Sequence, residues 1–428
     1  ISLSATTSGT LSVTASNSCG TSTARTQAIT ILPGTPAQPS VITGTTSICP
    51  SVATTYSVTN VSGVTYSWTY SGTGTITGTG NSISLSASTS GTLSVTASNS
   101  CGTSAARTQA ITINPVPVPT ISMTPNNNIC FGTEVTYTTE SGMSAYVWNI
   151  PGLSADYTII SGGTASDNIL KLVWNNMPSV TSPSVSISYT SAVGCLANTP
   201  ATQTVVLPTK GTSLSGNNET AFCYVNGSKD VHFYNSTTNN YLGSINANGN
   251  DLGLVTMKTY VGSPSHMEDC NNPDNQSHWT AYMGRRWEMS SATYPNSANF
   301  PTNATITLPF INDELAALNT YASTVTTVND LDDNAVLADI ALTKVSNGVS
   351  DGNASLSDCS GTRIAIEQSG TAANPTGITA NKLAFEVEQF SEMFLHKKRY
   401  DGSPLPITLS SFSAECNDNN EVMLSWST

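Results

Sequence analysis

The stretch ISLSATTSGTLSVTASNSCGTSTARTQAITI at residues 1–31 recurs almost letter for letter as ISLSASTSGTLSVTASNSCGTSAARTQAITI at residues 83–113, an offset of 82 residues. That period constrains the fold more than any other feature. A unit so long, built of short alternating runs, is one β-sandwich per repeat and not a turn of a helical solenoid. In the complete copy Tyr56 and Val58 alternate with polar residues, as do Val64, Tyr66, Trp68 and Tyr70, then Ile83, Leu85 and Ala87, then Leu93, Val95 and Ala97. Period two buries one face of each strand and wets the other. Ser90-Gly91-Thr92 supplies a hairpin turn, and two facing sheets cover the apolar stripes most economically.

Composition narrows the setting. Charged residues make up 10% of the 428, against roughly 25% in ordinary globular domains, and Ser, Thr, Asn and Gly take their place on the surface. The net charge of −13 is unevenly spread. Residues 1–209 carry three basic groups (Arg25, Arg107, Lys171) and four acidic ones (Glu134, Glu140, Asp156, Asp167), so nearly all of the imbalance lies beyond Thr209. Neither half offers the basic patch that a phosphate backbone needs, which excludes nucleic acid as a partner. No run of 18 apolar residues exists to span a membrane as a helix. The chain opens in mid-repeat at Ile1, from which further sequence upstream is expected, including the front half of the domain ending near Leu32.

The nine cysteines include no C-x-x-C pair of the zinc or redox kind, so disulfides in an oxidising compartment are the expectation. Cys49, Trp68 and Cys101 follow one another in an order that resembles the immunoglobulin layout, although both cysteines stand at strand ends. A Cys49–Cys101 bridge is predicted. Cys130, Trp148 and Cys195 repeat the plan, with 18 residues from cysteine to tryptophan against 19, and a Cys130–Cys195 bridge follows. Cys19 aligns with Cys101, and its partner is expected upstream. Among the later cysteines Cys270 with Cys359 is favoured because both sit in polar, turn-rich stretches, leaving Cys223 for Cys416 or for nothing.

Proline marks the connectors at Pro33–Pro39, at Pro115, Pro117 and Pro119, and at Leu207-Pro208-Thr209. Such linkers are stiff, and stacked domains joined by them predict a semi-rigid rod. From Thr212 the composition changes to VHFYNSTTNNYLGSINANGNDLGLVTMKTYVG and later strand-like runs, a larger sandwich over 212–403. It carries one short helix near 312–321, with Asn312 as its cap and Asp313 and Glu314 complementing the dipole.

PGTPAQPSVITGTTSICPSVATTYSV, VTYSWTY and LSVTASNSCGTSAARTQAITI together resemble the PKD-like domains arrayed in very large surface proteins of Bacteroidetes, strongly over residues 1–114 and more weakly over 115–208. The resemblance implies a spacer sandwich and no catalytic residues. FSEMFLHKKRYDGSPLPITLSSFSAECNDNNEVMLSWST resembles the junction that precedes a type IX secretion sorting domain in exported proteins of the same bacteria, which implies export across a Gram-negative outer membrane. The expected architecture is all-β. It comprises the C-terminal half of a PKD-like domain (1–32), two PKD-like or Ig-like sandwiches (34–114 and 115–208), the larger sandwich (212–403) and the start of a fibronectin-like unit (404–428).

Motifs for chemistry are sparse. Gly348-Val349-Ser350-Asp351-Gly352 fits G-x-S-x-G but lacks the strand-to-helix turn that a nucleophile elbow needs. His266, Cys270 and His278 hold zinc-type donors, in a stretch that reads as an exposed loop. Asp330, Asp332 and Asp333 are the candidates for calcium, the one cofactor the sequence suggests, since clustered carboxylates suit a hard cation; the EF-hand pattern itself fails for want of the Gly and Glu. Trp68, Trp148, Trp174, Tyr66 and Tyr146 belong to cores by their alternation, whereas Trp279 and Trp287 fall off any clean pattern and are the candidates for glycan stacking. The leading expectation is therefore a non-catalytic, extracellular structural or adhesive stalk. Its partners would be neighbouring domains or subunits, with glycans or host and abiotic surfaces beyond them. The alternatives are an accessory region of a secreted hydrolase and a carbohydrate-binding module at 212–403.

Overall fold

A computed structural model describes residues 1–32, 34–175, 183–267, 280–295, 298–324, 340–346, 362–366, 368–371, 380–397, 411–416 and 422–427. The chain is all-β, with one α-helix among the described residues. Contacts divide it into two compact units. One comprises Ile1–Thr120, Glu140–Val147 and Ile187–Ala201; the other comprises Ile121–Thr139, Trp148–Ser186 and Thr202–Thr428.

In the first unit the complete repeat forms a sandwich. Strand Gly91–Asn99 is the centre of one sheet, with Thr65–Tyr70 on one side and both Gly102–Thr103 and Arg107–Ile113 on the other; Ser47–Ile48 adds in parallel to Arg107–Ile113. Thr54–Ser57, Ser82–Ala87 and Gly74–Thr77 make the opposing sheet. The alternation read from the sequence sets the core: Tyr56, Ile83, Leu85 and Ala87 from one sheet meet Leu93, Val95 and Ile111 from the other. Gly44, at φ +146°, lies against the Tyr56 ring, where any Cβ would overlap the ring carbons.

The partial copy forms the same hairpin in the same register. Gly9↔Ile29 through Val13↔Arg25 reproduces Gly91↔Ile111 through Val95↔Arg107 residue for residue, and the short Ser16–Asn17 and Gly20–Thr21 pair matches as well. Among the described residues no second sheet lies over it. Leu11 is 44% and Val13 59% exposed, whereas Leu93 and Val95 are 0% exposed.

Between residues 121 and 204 a four-stranded sheet runs Ser122–Thr124, Glu134–Thr138, Ile169–Trp174, Tyr157–Gly162, and a three-stranded sheet runs Ser144–Asn149, Ser184–Thr190, Ala201–Thr204. Trp174 and Tyr146 are buried, and Tyr66, Trp68 and Trp148 pack half-buried against their cores, as their alternation predicts.

The larger sandwich belongs to the second unit. One sheet runs Glu219–Asn226, Asp251–Val261, Thr280–Ser291, Glu392–Lys397, Ile340–Ser346, Thr362–Ile366, with Ser265–Met267 beside Thr280–Ser291. The other runs Asp230–Tyr234, Tyr241–Asn246, Ala304–Phe310, Asn381–Val387, Gln368–Thr371. Strands Ser411–Cys416 and Val422–Ser427 form a separate pair. The helix spans Asn312–Thr324, but Asn312 does not cap it. Its side-chain oxygen receives Asn381 Nδ2 at 2.8 Å. The N-terminus is satisfied instead by Glu314, whose carboxylate accepts the Ile311 N–H at 2.9 Å, the reciprocal arm of a capping box.

Two predicted bridges are corrected by the structure. Cys49 pairs with Cys195, not Cys101, and Cys130 pairs with Cys223, not Cys195. The reason in the first case is strand length. Cys49 follows Ile48, which pairs with Ile113 near the Gly91 end of the sheet, while Cys101 lies beyond Asn99 at the other end of a nine-residue strand. About 25 Å of extended backbone separates those ends, and a disulfide needs Cα atoms within about 7 Å. In the second case Cys195 is consumed by Cys49, and Cys130 lies against strand Glu219–Asn226, with its Sγ 3.6 Å from the Phe222 carbonyl. Cys223 therefore has its partner in Cys130 and none in Cys416. Cys19 and Cys101 are unbridged.

Candidate functional site

The features that distinguish this chain from a plain sandwich array are the two bridges and what surrounds them. Each begins in an Ile-Cys turn just before a sandwich strand. Ile48 and Ile129 are buried, and the carbonyls of Cys49 and Cys130 accept N–H groups three residues on, from Val52 and Thr133. The buried isoleucine fixes each turn against its own core, so the neighbouring sulfur points away from that core's interior.

In the first unit Cys49 and Cys195 lie 5.5 Å apart at Cα and 146 residues apart in sequence. Cys195 is held in a closed turn: its N–H donates to Ser191 Oγ (3.1 Å) and its carbonyl accepts the Ser191 N–H (2.8 Å). The strand before this turn is anchored through Tyr189, whose hydroxyl donates to Glu140 at 3.0 Å; the Thr120 N–H reaches the same carboxylate at 3.1 Å. Tyr146 stacks edge-on against Tyr189 at 5.8 Å and donates to the Glu140 carbonyl.

In the second unit the Cys130–Cys223 bridge spans 93 residues and sits in a ladder of backbone bonds. Tyr224 N–H donates to the Asn128 carbonyl and His232 N–H to the Phe131 carbonyl, both at 2.8 Å. Asn226 donates through Nδ2 to the Glu134 carbonyl and accepts the Glu134 N–H, a two-way clasp. Gly132, at φ +98°, packs on the Asp230 carbonyl with no room for a Cβ. Phe131 is fully buried, edge-on to Tyr234, with Lys210 Nζ 4.6 Å over its ring. Leu207, in the predicted linker, is buried in the core that also holds Tyr234 and Tyr241. Burial pushes the His232 imidazole down to about 4, against the opposing pull of Asp230.

Beside this bridge lies a cleft of about 440 Å³ lined by Asn126, Ile129, Val206, Phe222, Tyr234 and Ser236 among others. Among the described residues its walls carry no charged side chain.

Of the remaining candidates, Trp287 is a core residue. It is 1% exposed and its indole N–H donates to the Leu242 carbonyl at 2.9 Å, so it has no face to offer a sugar. It points inward because Thr280–Ser291 is a central strand covered by the second sheet, a fact that alternation in the residues around Trp287 did not reveal. His266 bonds Tyr321 through Nδ1 at 2.9 Å, and no three metal-type donors cluster among the described residues. Trp279, Cys270, Cys359, His278, Ser350, Asp330, Asp332 and Asp333 lie outside the described residues. No described helix is long and apolar enough to cross a membrane.

In comparison with known proteins, residues 35–111 match the model of the PKD-like domain. No curated protein matches the chain. Solved structures similar to it include murine CEACAM1b (13% identity, TM-score 0.20, 39% of this chain and 99% of that one). Another is a Ca2+-stabilized adhesin with which an Antarctic bacterium reaches out and binds ice (13%, 0.30, 72% and 78%). A third is the extracellular domain of protocadherin γB4 (14%, 0.21, 63% and 46%). Likenesses at these scores carry no argument about role.

Proposed function

We propose that this chain is a non-catalytic structural segment of an extracellular protein, a spacer whose disulfides carry tension from one β-sandwich segment into the next. The observation that supports it most is where the bridges run. Cys49–Cys195 ties segment 34–114 to segment 115–208, and Cys130–Cys223 ties 115–208 to the larger sandwich. A bridge that closes a single sandwich stabilises that sandwich alone, whereas a bridge across a junction passes force around it. Both loops are long, and on the chain-entropy account each bridge contributes about 5 kcal/mol. Disulfides of this kind fit an oxidising compartment, and the PKD-like match at 35–111 fits a spacer. Export across an outer membrane, display at a bacterial surface and contact with glycans or solid surfaces are finer parts of this reading, and they rest on the sequence resemblance.

Single-molecule stretching tests the proposal. With both bridges intact the residues enclosed between Cys49 and Cys195 stay out of the force path. Reduction should therefore lengthen the fully extended chain by roughly 500 Å, the span of 146 residues. An oxidised chain that extends to its full contour at low force would overturn the spacer reading.

A further inference from the structure

One reactive group is unused by anything above. Lys344 lies on strand Ile340–Ser346 and shares its inward face with Ile340 and Leu342, both fully buried. Its whole side chain is 1% exposed, and its Nζ has no hydrogen-bond partner among the described residues. Among the described residues a carboxylate approaches it from Glu388, whose Oε1 is 4.0 Å away, just past the end of strand Asn381–Val387 in the opposite sheet. The other oxygen of that carboxylate accepts a hydrogen bond from Asn299 Nδ2 at 3.4 Å. Asn299 is fixed there by its neighbour, since Phe300 N–H donates to the Glu388 carbonyl at 2.7 Å and the Phe300 ring stacks edge-on against Phe390 at 4.8 Å. A buried primary amine from one sheet and an exposed carboxamide from the margin of the other thus lie 4.0 and 3.4 Å from the two oxygens of one carboxylate, whose side chain is 46% exposed where the inter-sheet core meets solvent.

We propose that Lys344 and Asn299 form an intramolecular amide cross-link, with Glu388 as the proton carrier. The lysine nitrogen, neutral after giving a proton to Glu388, attacks Cγ of Asn299. The new C–N bond forms and the old C–NH2 bond breaks. Of the two protons shed by the lysine nitrogen, one passes through Glu388 to the departing nitrogen and the other goes to solvent. Ammonia leaves. One amide replaces another, so no oxidant, reductant or cofactor is consumed. Desolvation supports the first step, because burial holds the Lys344 amine below its ordinary pKa and lowers the cost of the neutral form. The bond would join the two sheets of the larger sandwich covalently, in a domain whose nearest described disulfide lies on another strand, at Cys223. It does not depend on the spacer reading, since an enzyme domain or a binding module would gain the same rigidity.

Intact mass of the reduced full-length chain is the test, followed by tandem mass spectrometry of its digest. The expected result is a mass lower than the sequence mass by one ammonia, together with a branched peptide that joins Lys344 to Asn299. E388Q keeps the shape of the carboxylate but cannot carry the proton, so it should return to its full sequence mass while still unfolding cooperatively. A wild-type chain at full mass with Lys344 and Asn299 on separate peptides overturns the proposal. So does a branch that ends on any other amide, such as Gln389.

Discussion

At the scale of single residues the core of the complete repeat gives the clearest case. Leu93 is 0% exposed, on the strand at the centre of its sheet. Leu93→Ala should cost about 2–5 kcal/mol through lost burial and a cavity. Urea titration of the variant against the parent gives the number. His232 makes a pH prediction. Its folded pKa of about 4 lies below the ordinary value of 6.5, so the unfolded chain binds the proton first as pH falls. Stability is then unaffected above about pH 6.5 and declines between there and pH 4, by about 3 kcal/mol at the limit. Comparing urea midpoints at pH 7 and pH 4.5 for the parent and for His232→Gln should show the slope shrink in the variant. An identical slope in both would remove His232 as its source.

At the scale of elements, alternation was enough for the strands and not for their surroundings. Tyr56, Leu85, Leu93 and Val95 were legible as core because period two leaves no other face for them, and all are fully buried. Trp287 was not, because Arg285 and Arg286 precede it and Glu288 follows, and nothing in that run shows a central strand. Arg285 is itself 3% exposed there and pairs with Glu314 of the helix at 3.0 Å. The helix was legible from its acidic first turn, but its cap was misread. Glu314 serves both the Ile311 N–H and a buried guanidinium, which local propensity cannot foretell. Glu314→Ala should cost about 3–5 kcal/mol, the cost of a broken buried pair, well above the roughly 1 kcal/mol of a cap alone. A loss near the lower figure, measured by urea unfolding, would mean that Arg285 finds another partner.

At the scale of the molecule, the sequence shows that cysteines recur with the domains but not which of them meet. Both Ile-Cys turns were visible, as was their position at strand ends. The second fact was the informative one, since Cys49 and Cys101 stand at opposite ends of a nine-residue strand and cannot meet across their own sheet. Pairing within a domain was the simpler expectation, and only the chain path decides against it. The same path explains why Leu207 is buried and not an open connector. Gly132→Ala should loosen the second junction, because its Cβ would strike the Asp230 carbonyl. Limited proteolysis should then show earlier cleavage between residues 207 and 219 than in the parent. A non-reducing peptide map of the oxidised protein bears most directly on the central claim. The account predicts that the Cys49 peptide is joined to Cys195 and the Cys130 peptide to Cys223. Peptides joining Cys49 to Cys101 and Cys130 to Cys195 would contradict it, because the bridges would then close single sandwiches and leave the junctions without a covalent tie.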